Sequence, residues 1–276
     1  MKLHRNKISV PATVLLIVLI LLLILPFYVL LVGGFKPNTS LIATEMDLSP
    51  FKNLTLSNFK LVFEKSDVWL WMRNSLVISL SVAAVTSAVG VMAGYAFAKI
   101  KFRFKGIMFV AVMATLMLPK QMLLIPNYLV AYNLNLQDRM IGVILTSIAP
   151  AFGVFLSRQT ISSLPKELFD AAEIDGCGEF RKFTRVALPL SLPAVGTIAT
   201  FSFFNTFNDY LWQLIMISDK NLKTLPVGVA MFAQSQYSNR AAQLAIGLIS
   251  TVPLVVVFLV LQKFFIKGAT DGAVKG

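Results

Sequence analysis

The chain has 276 residues, of which 57% are hydrophobic and 14% charged, so it is too apolar for an ordinary water-soluble domain. Its 25 Lys and Arg residues outnumber 13 Asp and Glu residues, which gives a net charge of +12. Such an excess is typical of nucleic-acid binding or of cations retained on one side of a membrane. With one Cys and one His, a disulfide framework, a zinc site and most histidine chemistry are excluded.

Six long stretches between charged residues predict six transmembrane helices, because a charge in the hydrocarbon core is costly. We expect one all-α transmembrane domain over residues 1–276, in which the third span is bent or ended by Pro119 and Pro126. Lys120 is expected to snorkel to the outer interface, and the fifth span to run on past Asp209. The approximate spans are 10–34, 74–98, 106–126, 140–158, 190–217 and 241–264.

The first apolar stretch has a signal peptide as its alternative interpretation, since a basic segment precedes it. However, 28 uncharged residues lie between Lys7 and Lys36, more than a signal peptide needs, and no typical cleavage site follows. We therefore expect this stretch to be retained as a membrane anchor.

The positions of the cations predict the orientation. Segments 1–7, 99–105, 158–185 and 263–276 hold 15 of the 25 Lys and Arg residues, and segment 99–105 contains four cations and no acid. Cytoplasmic loops are enriched in cations. Both termini are therefore predicted to be cytoplasmic, and nucleic acid is not needed to explain the charge.

Residues 159–189, between the fourth and fifth spans, predict a cytoplasmic helix–turn–helix. Pro165 suits a first helical turn, and acids follow it in the N-terminal half, where the helix dipole favours them. Gly176 and Gly178 should end this helix. A second helix is expected with Phe180 and Phe183 on one face and with Arg181, Lys182 and Arg185 in polar surroundings.

This segment resembles the EAA loop of the inner-membrane permease subunits of binding-protein-dependent ABC importers. The family pattern is Glu-Ala-Ala, three residues, Gly, nine residues and Ile-x-Leu-Pro. Here Asp170-Ala171-Ala172, Gly176 and Val186-Ala187-Leu188-Pro189 keep that spacing, with Asp for Glu and Val for Ile. The length, the Asn74-Ser75-Leu76 opening of the second span and the Gly/Ala-rich tail 268–276 resemble the carbohydrate-uptake, maltose permease G-like branch.

The resemblance implies a type I importer permease of the bacterial cytoplasmic membrane, with a mechanical role. Its partners would be a second permease, two ATPase subunits that carry ATP and Mg²⁺, an extracytoplasmic solute-binding protein and membrane lipid. The implied ATPase-coupling residues are Asp170, Ala171, Ala172, Asp175, Gly176, Leu188 and Pro189. The tail from 268 is expected to be flexible and to extend toward the ATPase pair. An amphipathic loop lying on lipid is the alternative for this segment, although its five acids would be repelled by anionic headgroups.

Asp209 is the one acid within a predicted span, and ionisable residues inside a membrane are functional candidates. Aromatic faces stack on sugar rings, and amide and carboxylate groups bind hydroxyls. The predicted substrate path is therefore Asn205, Asn208, Asp209 and Trp212. The same residues could instead form an aromatic belt at the membrane interface or a subunit contact.

The sequence has no Gly-x-x-x-x-Gly-Lys-Ser/Thr loop, so ATP hydrolysis is expected on a partner rather than on this chain, which is not itself an enzyme. No cofactor or metal is expected on this chain. The function predicted is import of a sugar, with an oligosaccharide favoured. Other solutes of the same importer class, such as glycerol phosphate, phosphate or an amino acid, an ion-driven secondary transporter and a non-transport membrane scaffold are the alternatives.

Overall fold

The computed structural model describes residues 10–38 and 48–273, and every regular element in these ranges is helical. The first seven α-helices are α1 (Val10–Gly34), α2 (Ser57–Lys65), α3 (Val68–Lys99), α4 (Lys105–Ala114), α5 (Leu124–Asn133), α6 (Met140–Ser147) and α7 (Ala151–Ser162). The others are α8 (Lys166–Ile174), α9 (Glu179–Lys182), α10 (Leu188–Leu190), α11 (Leu192–Phe207), α12 (Tyr210–Met216), α13 (Leu225–Ser235) and α14 (Arg240–Ala273). Turns of 3₁₀ helix occupy Thr115–Met117, Lys120–Leu123 and Lys220–Leu222, and a π turn occupies Phe183–Ala187.

The apolar segments of the described chain give six candidate spans. Three are continuous helices: α1, α3 and the part of α14 from Arg240 to Val260. The other three are helix pairs that bend by 96° between Met117 and Lys120, by 47° between Ser147 and Ala151, and by 76° between Leu190 and Leu192. Counting each bent pair as one span gives up to six, the number that the sequence predicts, although the third pair combines Glu179–Leu190 of the 159–189 segment with α11.

Several predicted boundaries need correction, because uncharged stretches do not reveal where the backbone turns. The second span begins at Val68 rather than at residue 74. The predicted fifth span, 190–217, is two helices, since α11 ends at Phe207 and α12 starts at Tyr210. The tail expected to be flexible from 268 continues α14 as helix to Ala273, and residues 274–276 lie outside the described ranges.

The bend in the third span is at Pro119, as the sequence predicts. Leu118 is extended (φ −81°, ψ 120°), which is the conformation that a following proline imposes. Pro119 then leads into the next 3₁₀ turn with ψ 128°. Pro126 does not end a helix, because it lies in the first turn of α5, where its missing N–H is harmless. Lys120 is therefore placed directly after the bend.

The chain divides into two compact units, one of which comprises residues up to Val68 together with Gly228–Val252. Within it, the end of α1 is fixed by Asn58, whose Nδ2 donates to the carbonyl oxygens of Gly34 (2.9 Å) and Lys36 (2.7 Å). The buried Lys36 ammonium donates to the carbonyl oxygen of Lys52 at 2.6 Å. The Asn58 bonds satisfy carbonyl groups at and just beyond the end of α1, which the helix leaves open.

The other unit, Trp69–Val227 with the chain from Pro253, contains a close helix contact between α3 and α7. A Cβ added at Gly90 would lie 3.0 Å from the Gly153 Cα, and one added at Gly94 would lie 2.9 Å from the Arg158 nitrogen. The Gly-x-x-x-Gly spacing in α3 thus lets two backbones meet, which is the usual role of small residues in membrane helices.

In the same unit, Asn74 and Ser75 near the start of α3 fix the loop that follows α12. The Asn74 Nδ2 donates to the carbonyl oxygens of Asn221 (2.9 Å) and Lys223 (3.0 Å), and the Ser75 Oγ accepts from the Leu225 nitrogen at 2.8 Å. Both side chains are buried. Asn74-Ser75 therefore has a structural role, because it satisfies the backbone of a neighbouring loop.

The α3–α7 contact predicts that Gly94→Ala destabilises the protein, whereas Gly106→Ala does not. An added Cβ at Gly94 meets Ser157 and the backbone at Arg158, but at Gly106 no atom lies within 4 Å. Overpacking of this kind costs about 1–3 kcal/mol. Heating the purified complex in detergent and following helix loss by circular dichroism measures the difference. Equal unfolding temperatures for the two variants would show that the contact has room to adjust.

Candidate functional site: the 159–189 segment and a cavity beside Asp209

The predicted segment 159–189 contains a helix–turn–helix, which begins with α8 at Lys166 because residues 159–162 still belong to α7, and its turn has a defined geometry. Gly176 has a φ of +74°, and the Cys177 nitrogen donates to the Ala172 carbonyl (2.9 Å) while the Gly176 nitrogen donates to that of Glu173 (3.0 Å). These two bonds are the Schellman arrangement, in which a glycine after the helix takes the left-handed conformation. No atom lies within 4 Å of a Cβ added at Gly176. A larger residue would therefore be disfavoured by the positive φ alone and not by contact with neighbouring atoms.

A buried lysine joins the two arms of this segment. The Lys182 ammonium donates to Glu173 Oε2 at 2.7 Å and to Glu179 Oε1 at 3.2 Å, and Tyr95 of α3 donates to Glu179 Oε2 at 2.8 Å. The polar surroundings predicted for the buried Lys182 are therefore the two carboxylates, which are themselves largely exposed to solvent. Glu173, Glu179 and Lys182 thus link α8, α9 and α3, a role that the sequence interpretation missed. Only the i, i+3 spacing of Glu179 and Lys182 signalled it.

The Lys182 ammonium also affects the protonation of Glu173. Its hydrogen bond and charge lower the pKa of the Glu173 carboxyl below its usual value. Because the pKa of Glu173 is lower in the folded state, its interaction with Lys182 stabilises the segment fully at pH values above the ordinary glutamate pKa. This stabilisation is lost as the pH falls through the lowered pKa of Glu173.

The inner face of the segment is apolar. Phe169 of α8 packs with Tyr95, Ile161 and Ala187, and the Lys99 ammonium lies 4.1 Å from the centre of the Phe169 ring. Phe183 also lies against this cluster, with its ring 5.3 Å from that of Tyr95. The segment is therefore attached to the ends of α3 and α7 by side-chain packing as well as by charge.

The outer face leaves large apolar side chains uncovered. Ile174 is 87% exposed and Phe180 75% exposed, and Leu168 is also exposed. Phe180 and Phe183 are three residues apart in helical register, yet Phe180 is uncovered while Phe183 packs against the inner cluster, so the face predicted for the two residues is only partly covered. Exposed apolar groups of this size mark an interaction surface.

The predicted coupling residues are divided between these two faces and the end of the segment. Ala172 is buried, while Ala171 and Asp175 are exposed. Asp170 is half-exposed and has an i, i+4 contact of 3.6 Å with the exposed Lys166, an interaction that solvent screens strongly. Leu188 and Pro189 lie in α10, directly before the 76° bend into α11.

A cavity of about 440 Å³ lies at the other end of α11. Its lining residues are Lys120, Phe201, Phe204, Asn205, Asn208 and Asp209. It contains three of the four residues predicted for the substrate path. Lys120, which the sequence interpretation placed at the outer interface, also lines this cavity. The sequence signal for its role was a cation inside an apolar segment.

Trp212 does not line the cavity. It is buried in a core cluster with Ile78, Val82 and Val143, and its Nε1 donates to Thr146 Oγ1 at 3.0 Å. The cause is the helix break, because Asp209 caps α12 by accepting from the Trp212 nitrogen at 3.3 Å and so begins a helix with a new direction. Trp212 thus supports the site by packing.

Within the described ranges, no group of three or more His, Cys, Asp or Glu side chains could hold a metal ion. The expectation that the chain carries no metal or cofactor stays a prediction.

Residues 86–270 match the model of a protein family described as "binding-protein-dependent transport system inner membrane component". The arabinooligosaccharides transport system permease protein AraQ of Bacillus subtilis is 34% identical over 99% of both chains. The sn-glycerol-3-phosphate transport system permease protein UgpE of Salmonella typhimurium is 30% identical over 97% of this chain and 98% of that one.

A chain from the crystal structure of a bacterial ABC transporter involved in the import of the acidic polysaccharide alginate has a similar fold. The TM-score is 0.80, and the match covers 92% of this chain and 94% of that chain at 23% sequence identity. At this identity the likeness concerns the fold.

The Lys182 contacts predict that Lys182→Met loosens the 166–182 region, because Glu173 and Glu179 lose their shared cation. Backbone amides there should exchange with deuterium about 5-fold faster than in the unaltered protein, as read by mass spectrometry of the purified complex. Arg181→Met is the control, since Arg181 is exposed. Unchanged protection in the Lys182 variant would mean that the apolar packing alone fixes the segment.

Proposed function

Because the chain belongs to the family of binding-protein-dependent transport system inner membrane components, we propose that it is a permease subunit of an ATP-driven importer of an oligosaccharide. The observation that carries this proposal is the helix–turn–helix at 166–190, which is attached on its inner face and leaves Ile174 and Phe180 uncovered on its outer face. A segment that docks on a moving partner needs both properties. It has to transmit force inward, and it has to offer apolar area to a protein.

We propose that this outer face docks on a cytoplasmic ATPase subunit. The chain lacks a phosphate-binding loop of its own, so ATP and Mg²⁺ would be bound by two such partners. A second permease subunit and an extracytoplasmic solute-binding protein would complete the importer. In this arrangement both termini of the chain are cytoplasmic, and Asp170 and Asp175 provide negative charge for cations of the ATPase.

The contacts support a route for motion from the docking face to the cavity. Movement of α8 is passed to α9 through Lys182, and to α3 through Tyr95 and Phe169. The same segment leads directly into α11, which ends at the cavity residues Asn205, Asn208 and Asp209. A displacement of the segment would therefore tilt the helix that lines the cavity.

The cavity supports an oligosaccharide as substrate. Phe201 and Phe204 offer ring faces on which a sugar can stack, and Asn205, Asn208 and Asp209 offer oxygen atoms for its hydroxyl groups. The arabinooligosaccharide permease of Bacillus subtilis is consistent with this class. Import of a glycerol phosphate is the second candidate, favoured by Lys120 in the lining and by the similarity to UgpE.

The proposed docking face can be tested at Ile174. Ile174→Ala should weaken association with the ATPase subunit about 10-fold, since an isoleucine side chain that becomes buried contributes about 1.5–3 kcal/mol. Co-purification over a range of ATPase concentrations measures it. Ile107→Ala, also at an exposed apolar residue but in α4, is the control. Equal ATPase binding by both variants would show that the partner does not use this face.

The turn between α8 and α9 can be tested at Gly176. Gly176→Val should reduce ATP-driven uptake of arabinotriose into proteoliposomes about 10-fold and leave membrane insertion intact, because a β-branched residue resists a φ of +74°. Gly178→Val is the matched control, since Gly178 has an ordinary φ of −69° and also has open space around it.

Two outcomes of that experiment would contradict the proposal. If Gly176→Val transported as well as Gly178→Val, the turn geometry would not matter for coupling. If uptake ran on an ion gradient without ATP, the chain would belong to a secondary transporter.

A further inference from the structure

Two oppositely charged side chains line the cavity at the end of α11, and each lies at a break in a helix. Lys120 directly follows the 96° bend at Pro119, and Asp209 lies between the end of α11 and the start of α12. Both residues belong to the same compact unit. Discontinuous helices recur at substrate sites in transporters, because an interrupted backbone is tolerated where it lines a cavity.

Lys120 and Asp209 line one cavity without forming an ion pair. Within the described residues, the ion pairs shorter than 4.0 Å involve other side chains. Asp209 Oδ1 accepts from the Trp212 nitrogen, and no described residue donates to its Oδ2 or accepts from the Lys120 ammonium. An ammonium and a carboxylate thus remain open to a bound solute.

The two asparagines add further acceptors to the lining. Asn205 Nδ2 donates to the carbonyl oxygen of Phe201, and Asn208 Nδ2 donates to that of Phe204, each at 2.9 Å. A carbonyl oxygen can only accept, so these bonds orient both amides and leave each with a free Oδ1 acceptor and one further N–H donor. The lining therefore carries three side chains with acceptor oxygen atoms, Asn205, Asn208 and Asp209, and one cationic side chain, Lys120.

This set of groups distinguishes neutral from anionic solutes. A hydroxyl donates one hydrogen and accepts through two lone pairs, so a sugar can donate to the carboxylate and amide oxygens and accept from the ammonium. A phosphate or carboxylate ligand would form a favourable ion pair with the Lys120 ammonium. It would also bring its negative oxygens toward the carboxylate of Asp209, which repels them.

We infer that Lys120 and Asp209 together make this cavity selective for an uncharged, polyhydroxyl solute over an anionic one. This inference rests on the proposed function and narrows its substrate class, since it favours a neutral oligosaccharide over a glycerol phosphate. Lys120 acts as the hydroxyl-directed donor and Asp209 as the acceptor that excludes anions.

The test measures binding of two probes to the complex of permease and ATPase subunits in nanodiscs, with no solute-binding protein present to filter the solutes. The probes are radiolabelled arabinotriose and sn-glycerol 3-phosphate. The unaltered complex should bind arabinotriose more tightly. Lys120→Met should weaken arabinotriose binding about 10-fold, as expected when a charged hydrogen-bond donor is removed.

The selectivity itself is tested by Asp209→Asn, which keeps the size of the side chain and removes its charge. Glycerol phosphate should then bind at least about 5-fold more tightly, because the repulsive charge is gone, while arabinotriose binding falls. Lys220→Gln removes an exposed cation outside the cavity and should change neither affinity. Unchanged thermal unfolding of each variant shows that the fold is intact.

Three results would overturn the inference: tighter binding of glycerol phosphate by the unaltered complex, binding of neither probe, or the same ratio of affinities in Asp209→Asn as in the unaltered complex. The proposed importer function fails separately, if uptake by the full complex with its binding protein does not depend on ATP. ATP-driven uptake with unaltered selectivity in Asp209→Asn would retain the importer and reject the role of the charge pair.

Discussion

A helix that breaks inside an apolar segment leaves backbone groups without partners, and in a membrane water does not satisfy them. The cavity residues Lys120 and Asp209 are found where such breaks are satisfied by the protein itself. At the end of α11, the Gln213 Nε2 donates to the Thr206 carbonyl oxygen at 2.7 Å, and Asp209 accepts from the Trp212 nitrogen. At Pro119, the Met122 nitrogen donates to the Pro119 carbonyl oxygen at 3.0 Å. These bonds make the breaks structurally tolerable, and so Lys120 and Asp209 can line a cavity.

The sequence predicted six apolar segments because the cost of a buried charge is large and local, and the described chain has up to six candidate spans when each bent pair counts as one. It also predicted the bend at Pro119, since proline acts on its neighbours directly. It did not predict the break at Asn208–Asp209, because neither residue prevents a helix by itself. The break depends on Gln213, which lies seven residues from Thr206 and is buried. The length of an uncharged stretch therefore indicates roughly where a span begins and ends, but it does not show where the backbone turns within the span.

The site was predicted in part for the same reason. Asn205, Asn208 and Asp209 follow one another at helical spacing, so they share a cavity in the structure as the sequence suggests. Trp212 comes after the break and points into the core, while Lys120 comes from a distant part of the chain. Lys182 was misjudged because its carboxylate partner Glu173 lies across a turn. A contact of that kind depends on the Schellman geometry at Gly176, and spacing along one helix does not reveal it.

The position of α11 gives the two parts of the chain a common mechanical element. Its 16 residues extend about 24 Å, from the bend after α10 to the cavity. A helix of this length bends little by itself, because its hydrogen bonds are internal and its neighbours are close-packed. Ile198 lies 3.1 Å from a Cβ added at Gly153, so α11 meets α7 with almost no free space. In the proposed mechanism, a change of direction at the 76° bend would move Asn208 and Asp209 relative to Lys120. On that proposal, the separation of the Lys120 and Asp209 charges links a movement of the 159–189 segment to the affinity of the cavity for its solute.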